Sequence, residues 1–274
     1  MPKTIIVPLD GSELAERALG PARALAARTH AAVVVMSSRV DGPTDPDGYL
    51  ADAVERAGLE GAEPVVISDR GAVGGLEVLV NDRPDPVVCM STRGRSGVGK
   101  AVLGSVAGEA IRGVRAPVLL VGPAVEPELA TRFETALVCT DGSDTSKAVV
   151  APIAGWIREL HLRTWIVQVL DPDARREFPR APARVVEEAT VFSVAQTLMQ
   201  RDGGGINWDV LHGERVAEAI VDYAAKLPAS LIAMATHGRS GFGQFALGSV
   251  AASVVHAAPC PVLVIRPDGL RGEE

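Results

Sequence analysis

Short apolar runs alternate with stretches of helical spacing along the first half of the chain. Strands that are apolar throughout are buried on both faces, which is typical of a parallel sheet covered by helices on both sides. Right-handed crossovers then give a doubly wound, Rossmann-like α/β fold, whose strand order the pattern leaves open. The predicted strands are Thr4–Leu9, Val33–Met36, Pro64–Ile67, Pro86–Met90 and Pro117–Val121, and the predicted helices are Leu14–Ala27, with an unusual Pro21 inside it, Val73–Val80 and Ser105–Val114.

The second half of the chain repeats the first. Residues 4–19 match residues 135–150 at an offset of 131, and residues 87–123 match residues 231–267 at an offset of 144. The second copy therefore carries 144 − 131 = 13 extra residues between the matched blocks. A period of this length indicates two complete domains rather than a solenoid. We predict domains at 1–122 and 134–268, joined by a Pro- and Glu-rich linker at 123–134.

The formal net charge of −7, without a basic stripe, argues against binding to nucleic acid through its phosphates. No apolar run approaches the length of a bilayer span, and the first residues lack the pattern of a signal peptide. Three cysteines in apolar surroundings, Cys89, Cys139 and Cys260, indicate buried, reduced thiols, and they lack the spacing of a metal site. We therefore expect a cytoplasmic protein that binds neither nucleic acid nor membrane.

Two features recur where strands end, the edge at which open α/β sheets place their ligands. The first is an acidic turn after strand one, Asp10-Gly11-Ser12 and Asp141-Gly142-Ser143. The second is a glycine-rich stretch after strand four, at 94–105 and 238–249, which ends in Gly-Ser at the start of a helix. The free N–H groups of a helix start favour phosphate, and an aspartate can accept hydrogen bonds from a ribose or a base. The pair of features predicts a nucleotide site.

Each feature alone has a structural interpretation. Asp-Gly-Ser is also a common helix-entry turn, with Asp or Ser as the N-cap, and Gly-Ser can be a capping pair. The joint appearance of both features, twice and at equivalent strand ends, favours the nucleotide site. Arg95 and Arg239 also recur, and each could neutralise phosphate or simply solvate its loop.

The sequence gives little support for a catalytic motif. The segment Gly94–Ala101 resembles a P-loop, but Ala101 replaces the hydroxyl residue that holds Mg²⁺, and Gln244 replaces Lys100 in the second copy. No GxSxG elbow, HExxH motif or repeated carboxylate pair is present, and His237 corresponds to Arg93. We predict a protein that is not an enzyme, with slow hydrolysis or phosphate transfer to Ser105 or Ser249 left open.

With these motifs together, the chain resembles the universal stress protein family in its tandem form, over residues 3–122 and 134–267. The resemblance rests on the family motif G-x2-G-x9-G-[ST], the early V-x-x-D-G-S turn and the closing A-P-x-P-V-L strand. It implies a five-stranded parallel sheet in each domain, ATP or another adenine nucleotide as the ligand of motif-bearing members, and pairing of domains through their last strands.

The resemblance assigns adenosine contacts to Asp10 and Asp141 and a backbone contact to the base to Val169, where the first copy has Ser38. The first motif glycine is replaced by Ser91 in copy one and by Ala235 in copy two. A Cβ there occupies space that backbone needs to approach a ligand, and serine is the larger of the two, so copy two is the better predicted site. The candidate binding residues are Asp10, Gly94, Arg95, Gly104 and Ser105 in copy one, and Asp141, Val169, Ala235, Gly238, Arg239, Gly248 and Ser249 in copy two.

Two functions remain open at this stage. The leading prediction is a stress-response protein that binds ATP, with or without Mg²⁺, and lacks dedicated catalysis. Its rival is a nucleotide-free dimerisation or adaptor module with decayed sites. The short, β-branched last strands, Val118–Val121 and Val262–Ile265, have edges that invite pairing. We expect these strands to pair with each other within one chain, and two chains then to form a homodimer.

Overall fold

The computed structural model describes residues 1–93, 103–147, 149–170, 183–202, 205–236 and 247–266. Copy one alternates strands and helices along the chain, as the apolar pattern predicts. Its strands are β1 (Thr4–Pro8), β2 (Ala32–Ser38), β3 (Glu63–Ile67), β4 (Pro86–Ser91) and β5 (Val118–Val121). Its helices are α1 (Glu13–Glu16), α2 (Leu19–Thr29), α3 (Pro46–Ala57), α4 (Ala72–Asp82) and α5 (Ser105–Gly113).

A short helix, α6 (Pro127–Ala130), lies in the segment that connects the two copies, and copy two follows the same order of elements. Its strands are β6 (Thr135–Cys139), β7 (Arg163–Leu170), β8 (Ile206–His212), β9 (Leu231–Ala235) and β10 (Val262–Ile265). Its helices are α7 (Asp144–Lys147), α8 (Val150–Leu160), α9 (Ala183–Asp202), α10 (Val216–Lys226) and α11 (Ser249–Ala257). In the part of the chain that the structure describes, no helix has both the length and the apolar character that crossing a bilayer requires.

The ten strands found in the described part of the chain form one sheet in the order β3-β2-β1-β4-β5-β10-β9-β6-β7-β8. Strands within each copy run parallel, which confirms the predicted doubly wound α/β fold. At the centre β5 and β10 pair antiparallel, with Leu119 opposite Leu263. The prediction that the two last strands pair within one chain is therefore confirmed. Pairing satisfies the backbone groups that each strand would otherwise leave open at the edge of its own sheet.

Two apolar layers cover the sheet, one on each face. Alternate residues of β1 enter opposite layers, since successive side chains of a strand point to opposite faces. Ile5 joins the layer under α2, α3, α8 and α9, and Ile6 joins the layer under α4, α5, α10 and α11. Both layers run through the two copies without a break, so the chain has a shared core rather than two separate ones.

The predicted helix Leu14–Ala27 is wrong as one element, because the chain forms α1 and α2 with a break at Arg17 and Ala18. Pro21 is the reason. A proline ring clashes with the carbonyl four residues earlier, here Arg17, so the helix restarts and carries Pro21 in its first turn. Pro152 occupies the same place in α8, which also follows a separate four-residue helix.

Helix α3 was absent from the elements that the apolar pattern predicted. Its sequence does carry start and stop signals. The side chain of Asp45 accepts a hydrogen bond from Gly48 N at 3.1 Å, Pro46 occupies the first turn, and Gly58 ends the helix at φ +60°. Leu50 and Ala53, which are three residues apart and so lie on the same face of α3, are both buried.

The segment at 123–134 packs against both copies. Phe133 is fully buried, and Arg17 donates to the carbonyls of Pro123 (3.2 Å) and Val125 (2.8 Å). Arg28 donates to the carbonyls of Arg132 (2.8 Å) and Leu160 (2.6 Å), thereby joining α2 to the end of α8. These contacts fasten the connecting segment to the domains on either side.

Candidate functional site

A cavity of about 270 Å³ opens in copy one at the carboxyl ends of β1, β2 and β4, beside the first residues of α4 and α5. This is the edge at which open α/β sheets bind ligands. The cavity brings together candidate residues that lie up to 95 positions apart in the sequence. Its polar lining includes Asp10, Ser38, Asp41, Ser91, Thr92 and Ser105.

The acidic turn after β1 is built by hydrogen bonds within itself. Asp10 Oδ1 accepts from the amide (3.0 Å) and the hydroxyl (2.6 Å) of Ser12, and Ser12 Oγ accepts from Ala15 N at 3.2 Å as the N-cap of α1. Gly11 has φ +89°, a left-handed conformation that glycine adopts without strain. Copy two repeats the turn at Asp141 with distances of 2.9 and 2.6 Å. The serine of Asp-Gly-Ser is thus a helix N-cap, as the structural interpretation of this turn predicts. The aspartate of the same turn also lines the cavity in copy one.

The Gly-Ser pair starts a helix in both copies. Gly104 is the N-cap of α5, and its amide donates to Thr92 O at 2.7 Å, so the chain returns to the end of β4 before the helix begins. No side chain in the described ranges caps α5, and the same holds for α11 at Gly248. The N–H groups of such a helix start can bind an anion, and the helix dipole favours negative charge there.

Among the residues that the structure describes, two buried polar atoms near α5 have no hydrogen-bond partner. Thr92 Oγ1 lines the cavity, and the Nε of Arg93 lies next to it in the chain. Leaving a buried hydroxyl or guanidinium N–H unpaired costs free energy, so such atoms commonly mark a place that a ligand or water completes. The neighbouring Ser91 Oγ accepts a long hydrogen bond from Arg93 N at 3.4 Å.

Ser38 occupies the position that corresponds to Val169. Its side chain is buried and donates to Arg70 O at 2.9 Å, while Val40 N donates to Ser38 Oγ at 3.0 Å. The hydroxyl of Ser38 is therefore engaged in holding the loop after β2 against the loop before α4. Val169 is half-buried at the corresponding place in β7.

Hydroxyl groups reinforce the acidic turn of copy two. Thr140 and Ser146, which replace Leu9 and Ala15, are buried with their hydroxyl oxygens 2.9 Å apart. Gly142 N donates to Thr140 Oγ1 (3.1 Å), and Ser146 Oγ accepts from Asp141 N (3.3 Å). The turn at Asp141 is thus tied to α7 by bonds that copy one cannot form.

The structure places the described candidates of copy two as it does those of copy one. Asp141, Val169 and Ala235 stand at the carboxyl ends of β6, β7 and β9, and Ser249 opens α11. Gly248 N donates to Thr236 O at 2.9 Å, as Gly104 does to Thr92. The remaining candidates, Gly94, Arg95, Gly238 and Arg239, lie outside the described residues.

Cysteine chemistry plays no part in this site. All three thiols are buried, and burial raises the pKa of Cys89 and of Cys139 to about 12, which keeps both protonated and unreactive near neutral pH. Within the described ranges, no group of three His, Cys, Asp or Glu side chains is placed to hold a metal ion.

The family model described as the universal stress protein family matches this chain twice, over residues 1–122 and 132–266. The chain belongs to the universal stress protein family. The two matches show the tandem form that the internal repeat predicts.

Among universal stress proteins, one from Thermus aquaticus is 35% identical over 138 residues, which are 49% of this chain and 99% of that protein. One from Mycolicibacterium smegmatis is 28% identical over 261 residues, covering 83% of both chains. The solved structure of a universal stress protein from Archaeoglobus fulgidus has a TM-score of 0.63 at 19% identity and covers 97% of this chain and 98% of that one. The last comparison shows a shared fold across both copies.

The cavity also contains polar residues that the motifs did not single out. Thr92 follows β4 and recurs as Thr236, so comparison of the two copies could have drawn attention to it. Asp41 gave no such signal, because it lies in a loop outside the matched blocks. Asp41 lines the cavity because its loop, which follows β2 and contacts the start of α4, lies at the same edge of the sheet as Asp10.

Proposed function

We propose that this universal stress protein binds an adenine nucleotide at the carboxyl ends of its strands, with ATP as the leading candidate. The observation that carries the proposal is the cavity of copy one, where the wall formed by Asp10 and Asp41 lies near the start of α5, which no described side chain caps. A nucleotide matches that polarity, because its ribose and base donate hydrogen bonds and its phosphates are anionic. Thr92 Oγ1, which is buried and has no hydrogen-bond partner among the described residues, supplies a further partner for such a ligand.

We also propose that copy two binds more tightly. Ala235 adds only a methyl group where copy one has the hydroxymethyl of Ser91, so it intrudes less on a ligand near the strand end. The extra hydroxyl bonds of Thr140 and Ser146 hold the Asp141 turn in place before any ligand arrives. A turn that is already ordered loses less conformational freedom on binding.

The proposed role is binding without dedicated turnover, in a cytoplasmic response to stress. A nucleotidase needs a base near the attacked phosphorus, a positioned water and usually a metal ion. Asp10 and Asp141 belong to the turns after β1 and β6, at the proposed nucleoside end, and no carboxylate recurs in the stretches before α5 and α11. Any Mg²⁺ would then be held mainly by the phosphates of the nucleotide.

A thermal shift assay combined with a turnover assay tests this proposal. Millimolar ATP should raise the melting temperature, because a ligand that binds only the folded state stabilises it by mass action, by about 2.7 kcal/mol at 100 times Kd. Hydrolysis with Mg²⁺ should remain far below the ~10 per second typical of enzymes, on the order of a few turnovers per hour.

Two results would contradict the proposal in different ways. Rapid turnover that disappears in Ser249→Ala would make the protein an enzyme. The absence of any shift with ATP, ADP or AMP would instead favour the nucleotide-free adaptor, the alternative that the Cβ atoms of Ser91 and Ala235 support.

A further inference from the structure

Asp41 is a second carboxylate on the wall of the copy one cavity, and neither the family motif nor the repeat includes it. It lies in the loop after β2, and both of its carboxylate oxygens are 3.2 Å from Ala72 N, the first amide of α4. The dipole of an 11-residue helix favours a negative charge at that place. Asp41 is therefore held at the cavity wall as a charged acceptor.

The surrounding backbone is shaped to allow this placement. A Cβ on Gly42 would lie 2.1 Å from Ser38 O, so only glycine lets the loop fold back onto the end of β2. A Cβ on Gly71 would lie 3.0 Å from Asp41 Oδ2, so glycine also makes room for the carboxylate. Ser38 Oγ fastens the two loops together through Arg70 O and Val40 N.

The carboxylate of Asp41 has unused capacity to accept hydrogen bonds. Two carboxylate oxygens offer about four acceptor positions, and the single N–H of Ala72 cannot occupy them. Among the described residues no other group donates to Asp41. Of the other polar residues in the cavity wall, Ser38 already donates its hydroxyl to Arg70 O, and the carboxylate of Asp10 is itself an acceptor, bonded to Ser12. A ligand that contacts this wall must bring its own donors.

From this arrangement we propose that Asp41 determines base specificity in copy one, where its carboxylate accepts a hydrogen bond from the exocyclic amino group of a 6-aminopurine. The inference rests on the proposed function, since it assigns to Asp41 the recognition of the base of the nucleotide that is proposed to bind in copy one. Asp41 also caps α4, and a structural cap alone would be indifferent to the base. Base selectivity therefore separates the two roles.

The experiment compares ATP with purine riboside triphosphate, which lacks the amino group. Calorimetry is performed on the Gly248→Phe variant, in which we expect the bulky side chain to block binding in copy two. We expect Gly248→Phe to prefer ATP by about 10- to 100-fold, the value of a hydrogen bond to a charged acceptor. Adding Asp41→Asn should reduce the preference to within about threefold, because the amide has no charge and presents an N–H₂ group as well as its oxygen.

Asp45→Asn is the matched control. Asp45 caps α3 through Gly48 N and does not line the cavity, so the same chemical change there should leave the base preference intact. Melting curves of all variants establish that they are folded. Equal affinity of Gly248→Phe for both nucleotides, or an unchanged preference in Asp41→Asn, would overturn this inference alone. If neither the wild-type protein nor Gly248→Phe bound any nucleotide, both this inference and the proposed function would be wrong.

Discussion

At the scale of single residues, the same side chains build the fold and face the cavity. Asp10 closes its own turn through Ser12 and also stands on the cavity wall. Gly104 brings the chain back to Thr92, and it provides no side chain of its own to cap the start of α5. Because one residue serves both purposes, the structural and the functional interpretations of these motifs are compatible.

Replacement of Gly248 tests the proposed difference between the copies. A Cβ at Gly248 would lie 3.3 Å from Thr236 O, and one at Gly104 would lie 3.1 Å from Thr92 O, so a bulky side chain at either place must turn toward the ligand or move the helix start. We expect Gly248→Phe to remove most of the ATP binding measured by calorimetry, and Gly104→Phe to remove little. If Gly104→Phe removed it while Gly248→Phe bound normally, the ranking of the copies would be reversed.

At the scale of elements, the connecting segment contributes to the core as the helices do. It contains α6 and buries Val125, Ala130 and Phe133 in the layer shared with α2 and α8. Phe133 does so at φ +47°, an unfavourable conformation for a residue with a side chain. The burial of an aromatic ring more than offsets this local cost.

Removing the ring of Phe133 should therefore destabilise both copies together. We expect Phe133→Ala to lower the free energy of unfolding by about 3–5 kcal/mol, because it leaves a cavity where the ring was fully buried. Urea unfolding followed by circular dichroism measures the loss. Val78→Ala is the control, since Val78 is 44% exposed and its loss should cost less than about 1 kcal/mol. Equal effects of the two substitutions would refute a structural role for the connecting segment.

At the scale of the whole molecule, pairing of β5 with β10 changes which edges remain open. The outer strands of the sheet are β3 and β8. Pro64 lies within β3, and a proline protects an edge because it has no N–H to donate. At the other edge Trp208 of β8 is 37% exposed, and its ring lies 5.4 Å from that of Phe192 of α9.

Association of two chains remains a prediction, and this aromatic pair is the surface we expect to mediate it. Light scattering at high micromolar concentration should give twice the mass of the 28.5 kDa chain. Trp208→Lys should shift the protein toward monomer, because a charge at a dimer contact must be desolvated. A clean monomer of the wild-type protein at that concentration would rule out the homodimer and leave the pairing of β5 with β10 unaffected.

The sequence by itself determined the α/β class, the duplication, the Gly-Ser helix starts and the pairing of the last strands. Each of these depends on local regularity. Continuous apolar runs require burial on both faces, the repeat places the same turn twice, and a β-branched last strand needs a partner at its edge. The signals for α3 were equally local, since Asp45, Pro46 and Gly58 mark its ends.

Only the tertiary structure decided how the connecting segment packs and which side chains share a cavity. Arg17 and Val125 are 108 positions apart, and no local pattern predicts that a guanidinium will bind that carbonyl. Asp41 lies at the cavity because the loops after β2 and before α4 meet at the same edge of the sheet. Thr92 Oγ1 becomes notable only because packing buries it without a hydrogen-bond partner among the described residues. Contacts of this kind depend on crossover geometry and on the filling of space between elements, which periodicity along the chain does not encode.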